Sequence, residues 1–189
     1  MRVVRILASG AFAFAVATTP VQIRSIDGSL MNPFRPSDKA NVLFFVSSDC
    51  PVSNSYAPEI QRLCREFGPK GASCSLLYED LDVKVSAVRK HLGEFGYKGV
   101  PVAIDAERKV AKAAKADVTP EAVVVDAKGE IRYRGRIDNF YADLGKPRQQ
   151  VTSHDLSDAL NAVLAGKRVP NPETPTLGCF IVDPETLRK

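Results

Sequence analysis

With 189 residues and 44% hydrophobic content, the chain carries enough apolar material for one full core and is short for two. Lys and Arg exceed Asp and Glu by 26 to 22, and the basic residues are spread along the chain rather than gathered into a stripe or tail. An excess that small and diffuse argues against nucleic acid as a partner.

The chain opens with Arg2 and Arg5 around the start of an apolar run, Ile6 to Ala17, which ends Ala15-Val16-Ala17 ahead of Thr18. A basic start, a short apolar stretch and small residues at its end are the form of a secretory signal peptide, with a buried first strand or helix as the alternative. The run has 12 residues, too few to cross a bilayer, which takes roughly 20. The expectation is an exported protein, periplasmic or secreted, with no stable membrane span after cleavage. Its parts are a signal peptide over 1–17, one domain over 18–168 and a tail over 169–189.

Val21 to Ile26 alternates with a slip and meets Asp27-Gly28, which predicts an edge strand or hairpin. Asn41 to Val46 is a continuous run with β-branched and aromatic members, the pattern of a strand buried on both faces. It stops at Ser47-Ser48-Asp49-Cys50-Pro51. Ile60, Leu63, Cys64 and Phe67 then recur at helical spacing, so Cys50 sits where a buried strand meets a helix. Gly68 to Gly71 ends that helix, and Ala72 to Tyr78 is a strand with Ala72, Cys74 and Leu76 on one side. Val83 to Phe95 reads as a helix, Val100 to Ile104 as a strand and Glu107 to Ala116 as a helix. Ala122 to Val125, the turn Asp126-Ala127-Lys128-Gly129 and Ile131 to Ile137 form a hairpin. A loop from Asp138 to Gln150 is long enough to border a site. Ser153 to Leu164 closes the domain as a helix with Ser153 as its cap. Beyond Gly166 a Pro-rich stretch, Val169 to Pro175, leads to Gly178-Cys179-Phe180-Ile181. This order predicts a mixed α/β fold with helices on both faces of one sheet.

A thiol at the start of a helix faces unpaired backbone N–H groups, which favour its reactive thiolate. Cys50-Pro51-Val52-Ser53 keeps Cys-x-x-Cys spacing without the second thiol. Ser53 can donate a hydrogen bond to the thiolate but cannot resolve a mixed disulfide. Around Phe44 to Ser53, Val118-Thr119-Pro120 and Val123 to Gly129, the chain resembles the thioredoxin-like redoxin superfamily. That group joins thiol-disulfide oxidoreductases to the alkyl hydroperoxide reductase and thiol-specific antioxidant proteins. The resemblance spans roughly Val21 to Leu164. It implies a thioredoxin-like fold with a central mixed sheet, and Thr119-Pro120 as the cis-proline loop that faces the nucleophilic cysteine. The peroxiredoxin signature Pro-x-x-x-Thr-x-x-Cys is altered, with Leu43 and Ser47 at its first two fixed positions and Pro120 where that family carries an arginine. Arg136, in Tyr133-Arg134-Gly135-Arg136-Ile137-Asp138, can substitute by its charge, against a reading as a solvated edge-strand arginine.

The implied activity is thiol-disulfide exchange or a peroxidase-like reaction, with Cys50 as nucleophile. Substrates would be protein or small-molecule disulfides or hydroperoxides, with electrons from an external thiol donor. A nucleophilic thiolate needs a second thiol for release, and Cys179 follows a flexible Pro-rich segment. A Cys50–Cys179 disulfide stands against a tail thiol that is buried or pairs between molecules. For Cys64 and Cys74 the expectation is core packing as free thiols, with a structural disulfide as the alternative. The redox reading requires no cofactor. Its rival is a copper-binding or copper-delivery protein using Cys50, Cys179 and His154, since thiolate and imidazole suit soft metals, although no short Cys/His cluster has ligand spacing. A thioredoxin-like scaffold without redox activity is a third possibility. His91, in Arg89-Lys90-His91, reads as part of a solvated helix face. Glu79-Asp80-Leu81-Asp82 reads as acidic residues serving the next helix N-terminus.

Overall fold

The computed structural model describes residues 21–35 and 38–188, so the predicted signal peptide lies outside the described residues. A first ribbon pairs β1 (Ile23–Arg24) with β2 (Leu30–Met31) around the Asp27-Gly28 turn. It is tied to the sheet where the Ile26 N–H donates to Val102 O at 2.8 Å.

The apolar run becomes β3 (Ala40–Val46), with every residue buried. On one side of it β4 (Ala72–Tyr78) and then β5 (Val102–Ile104) run parallel. After the short β6 (Val118–Thr119), β7 (Glu121–Asp126) and β8 (Ile131–Gly135) add antiparallel on the other side. The order β5-β4-β3-β7-β8 puts β3 at the centre of a mixed sheet. Among the described residues five α-helices accompany it: α1 (Pro51–Ser55), α2 (Ala57–Phe67), α3 (Val85–Glu94), α4 (Lys109–Ala114) and α5 (Asp155–Leu164).

Alternate residues of β3 point to opposite faces and enter two separate cores. Val42, Phe44 and Val46 pack with Ile60, Leu63, Leu156 and Leu160 from α2 and α5. Leu43 and Phe45 pack with Val110, Ala111 and Ala114 of α4. Burying one such side chain stabilises by about 1.5–3 kcal/mol, which is why a strand with no polar face must sit centrally between two helical layers.

The predicted loop from Asp138 holds a small ribbon, β9 (Tyr141–Asp143) with β10 (Lys146–Pro147). The tail then returns to the sheet end as β11 (Cys179–Phe180), antiparallel to β6. Most element boundaries shift by one or two residues from the sequence expectation, and two of the shifts have a visible cause. β8 ends at Gly135 rather than Ile137, because Gly135 adopts φ +149 and a Cβ there would lie 2.9 Å from Thr174 N of the crossing tail. α5 begins at Asp155 without a side-chain cap, and Ser153 instead donates its hydroxyl to Asp155 Oδ2 at 2.9 Å.

Cys64 and Cys74 are not free core thiols; they form a disulfide with Cα atoms 5.9 Å apart. Cys64 on α2 and Cys74 on β4 face each other across the helix–sheet interface, and the turn Gly68–Gly71 between them makes the approach short. A bridge closing a loop of ten positions stabilises by about 3 kcal/mol in the chain-entropy account. In Cys64→Ala/Cys74→Ala the melting temperature should fall by about 6–12 °C. Thermal melts in oxidising buffer check this, and an unchanged midpoint would mean that the bridge adds no constraint.

Candidate active site

Cys50 caps α1 from the strand side, with φ −89 and ψ 111, and Pro51 occupies the first helical turn, where its missing N–H costs nothing. The sulfur is buried, the residue being 1% exposed. It accepts from the Ser53 N–H at 3.4 Å and lies 3.1 Å from the carbonyl oxygen of Thr119. The Thr119-Pro120 bond is cis. Cys50 is joined in a disulfide to Cys179 of β11, with Cα atoms 6.0 Å apart, and this covers the sulfur from outside. Cys50, Cys179, Ser53, Thr119 and Pro120 therefore meet at one end of the sheet. Ser53 contributes by its amide: its hydroxyl oxygen accepts from the Ser47 N–H at 3.3 Å rather than facing the sulfur.

The turn that carries Cys50 is held by residues for which the sequence suggested other duties. Asp80, at the end of β4, accepts from the Ser47 hydroxyl at 2.8 Å and from the Ser48 N–H and hydroxyl at 2.9 and 2.8 Å. It thus serves the cysteine loop rather than a helix N-terminus. His91 is buried between Tyr78 and Asn54, not part of a solvated face. Asn54 Nδ2 donates to Ser48 O at 2.9 Å, which turns its Oδ1 toward His91 Nε2 at 2.8 Å. Nε2 is therefore assigned the proton, and Nδ1 accepts from the Tyr78 hydroxyl at 2.7 Å.

Burial holds His91 below its ordinary value of 6.5. A group depressed by folding contributes stability above its unfolded value and loses it as pH falls through the folded one. Acidification from about pH 7.5 to about pH 5.5 should lower the melting temperature less steeply in His91→Gln than in the parent protein. Equal slopes in the two pH series would contradict the buried neutral imidazole.

Beside Pro120 lies a cavity of about 250 Å³ lined by Tyr56, Arg136, Asp138, Tyr141 and Leu177. The loop after Asp138 shares the lining of this cavity with Pro120. Arg136 reaches this cavity, but its guanidinium is engaged, with Nε and Nη2 on Asp155 at 2.8 and 3.3 Å. Burial alone would raise Asp155, yet the Arg136 guanidinium and the Ser153 hydroxyl hold it below the usual carboxylate range. Tyr56 donates to Asp138 Oδ1 at 2.7 Å, and burial and that carboxylate push its phenol up. Glu121, next to Pro120, accepts from the Asp117 N–H at 2.9 Å and stiffens the turn between β6 and β7; burial pushes its carboxyl up. His154 is exposed at the start of α5. Among the described residues no three His, Cys, Asp or Glu side chains converge as a metal site, so His154 does not join the two cysteines.

The model of the AhpC/TSA family matches residues 27–134, more than half of the chain. The chain belongs to the AhpC/TSA family. This AhpC/TSA segment contains β3, Cys50, Pro120 and most of the β7–β8 hairpin, and it ends before α5 and the tail that brings Cys179. Comparison with curated proteins gives no match. Among solved structures, a conserved protein from Geobacillus kaustophilus is 26% identical, with 94% of this chain and 97% of that one covered at a TM-score of 0.74. A protein from Sinorhizobium meliloti 1021 is 25% identical over 89% and 94% of the two chains, at a TM-score of 0.73. A secreted disulfide oxidoreductase from Mycobacterium tuberculosis, described as homologous to DsbE of E. coli, is 16% identical over 76% and 96%, at a TM-score of 0.55. This last likeness is one of fold: the thioredoxin-like mixed sheet with its helices.

Proposed function

We propose that this AhpC/TSA protein is an exported thiol-disulfide oxidoreductase in which Cys50 attacks and Cys179 resolves. The observation that carries the reading is the Cys50–Cys179 disulfide lying against the Thr119-Pro120 loop. An external dithiol reduces that disulfide, becoming oxidised as both cysteines become thiols. Cys50 then attacks a substrate disulfide, one substrate sulfur leaving as a thiol. Cys179 attacks the Cys50 sulfur of the mixed disulfide, releases the second substrate thiol and restores the internal bridge. Two electrons and two protons pass from donor to substrate.

Disulfide exchange is favoured over peroxide reduction by two engaged side chains. The Ser47 hydroxyl, at the position of the signature threonine, is committed to Asp80, and Arg136 is committed to Asp155. A peroxide substrate would therefore find neither support turned toward Cys50. Export suits a chain that keeps two disulfides oxidised. One sample tested for reduction of insulin disulfides and for consumption of hydrogen peroxide, each with dithiothreitol as donor, should be active in the first assay and weak in the second. Peroxide consumption without disulfide reduction would overturn the assignment.

A further inference from the structure

The edge that presents Thr119 to Cys50 is already filled by the chain itself. Cys179 lies opposite Thr119 and Phe180 opposite Val118 in antiparallel register, and the Ile181 N–H donates to Asp117 O at 2.8 Å. Backbone pairing thus delivers the sulfur of Cys179 to Cys50. Beyond the pairing, Ile181 packs against the second core, Arg108 Nε donates to Val182 O at 3.0 Å and Lys112 pairs with Asp183 at 3.0 Å, whereas Phe180, next to the bridging cysteine, is 84% exposed. Gly178 is constrained by what lies beneath it. A Cβ there would press into the Thr119 carbonyl oxygen and stand 2.7 Å from its carbon and 3.3 Å from Pro120 N. Those neighbours are backbone, so they cannot turn aside as a flexible side chain would.

We infer that the segment from Pro175 to Asp183 is an internal occupant of a peptide-binding edge. The outside partner of that edge is an extended protein segment with glycine immediately before its disulfide-bonded cysteine. This rests on the proposed role of Cys50 and specifies the substrate class. A two-residue strand holds weakly on its own, whereas the preceding part of the tail has a separate anchor. The Arg134 N–H donates to Pro172 O at 2.9 Å, the Thr174 N–H donates to Arg134 O at 3.1 Å, and the hydroxyls of Tyr133 and Thr174 lie 2.6 Å apart. When an external dithiol attacks the sulfur of partly buried Cys179, the S–S bond breaks and Cys50 leaves as thiolate. The donor's second thiol then displaces Cys179, which takes a proton, and the donor departs as its own disulfide. With the bridge open, the segment from Pro175 onward leaves the edge, giving up its contacts at Ile181, Val182 and Asp183, while Pro172 to Thr174 keep it tethered. An incoming strand pairs with Val118 and Thr119, and its disulfide is opened by Cys50. One edge cannot hold two strands, so the returning tail expels the product as Cys179 takes over the Cys50 sulfur.

The test uses the full chain carrying Cys179→Ser, which attacks but cannot resolve. Two peptides spanning residues 174–183 are offered, each with its cysteine linked to a chromogenic aryl thiol. One keeps the natural glycine and the other carries Gly178→Ala. Release of the aryl thiol should be about tenfold or more slower from the alanine peptide, the range expected for forcing a methyl group against fixed backbone. Placing Gly178→Ala in the protein, on top of Cys179→Ser, should have the opposite effect and speed reaction with the glycine peptide, because the competing tail is weakened. Equal release from both peptides, release only from a small aryl disulfide, or a slower reaction in the doubly substituted protein would overturn the inference while leaving Cys50 a nucleophile. No release from peptides or small disulfide would remove Cys50 as nucleophile, and the inference with it.

Discussion

Replacing Cys50 by serine should lower disulfide-reductase turnover by at least about a thousandfold, as expected when the attacking atom itself is removed. Cys179→Ser should also fail to turn over, but by a different route: it should accumulate a mixed disulfide between Cys50 and the substrate. The pair separates chemistry from stability. Both variants lose the same bridge, whose sequence separation is 129, and with it about 5 kcal/mol of denatured-state constraint. A shared loss of stability therefore cannot produce a trapped adduct in one variant and none in the other. Mass spectrometry after incubation with a disulfide substrate reads the difference. Absence of an adduct on Cys179→Ser, or an adduct on Cys50→Ser, would reverse the assigned roles.

The second large effect is expected at Arg108, far from the sulfur in sequence yet joined to the tail. Arg108 is 1% exposed and begins α4 from a left-handed backbone position, with φ +56. It donates to Glu79 Oε2 at 3.0 Å, to Asp105 O at 3.1 Å and to Val182 O of the tail at 3.0 Å. Arg108→Met leaves these three acceptors without their donor and should cost about 3–5 kcal/mol, or about 6–20 °C in melting temperature. The Cys50–Cys179 bridge should also open at lower dithiol concentration, since the tail loses the hold at Val182. Urea unfolding and thiol titration of the same variant check both. A variant as stable as the parent would mean that the buried hydrogen bonds of Arg108 contribute nothing.

The partner carboxyl adds a pH dependence of known sign. Burial, then the neighbouring Asp105 carboxylate, push Glu79 up to about 9 against the pull of Arg108. A carboxyl raised above its unfolded value of 4.5 contributes stability that is complete below that value and is lost as pH rises through the folded one. Glu79→Gln, which has the shape of the protonated group and no charge, should therefore gain on the parent as pH rises from about 5 to about 9. A constant difference across that range would contradict a retained proton.

What the sequence disclosed follows from how local the signal was. The buried run Asn41 to Val46 could only be a central strand, because it offers no polar face, and the turn into Pro51 marked the cysteine's position. Thr119-Pro120 was legible because it immediately precedes an apolar strand. His91 misled because its neighbours in sequence are charged, while its burial is decided by Tyr78 and Asn54 on other elements. The pair of Arg108 and Glu79 was hidden for the same reason: both sit in polar stretches and meet across 29 positions. The disulfide between Cys64 and Cys74 depends on how α2 is rotated over β4, which helical spacing alone does not fix. Ser53 lies beside the sulfur through its amide and not, as expected, through its hydroxyl, since the two are indistinguishable at one position until the turn's own hydrogen bonds are known. The strand pairing of Cys179 had no local signal beyond a glycine before a cysteine.

The most direct test of the account is non-reducing peptide mapping of the air-oxidised protein, with free thiols blocked by alkylation before digestion. The peptides of Cys50 and Cys179 should be recovered as one linked species, and both should carry the alkyl group once the protein has been reduced before blocking. A Cys50 peptide that is already alkylated in the oxidised protein, or that is bridged to Cys64 or Cys74, would contradict it.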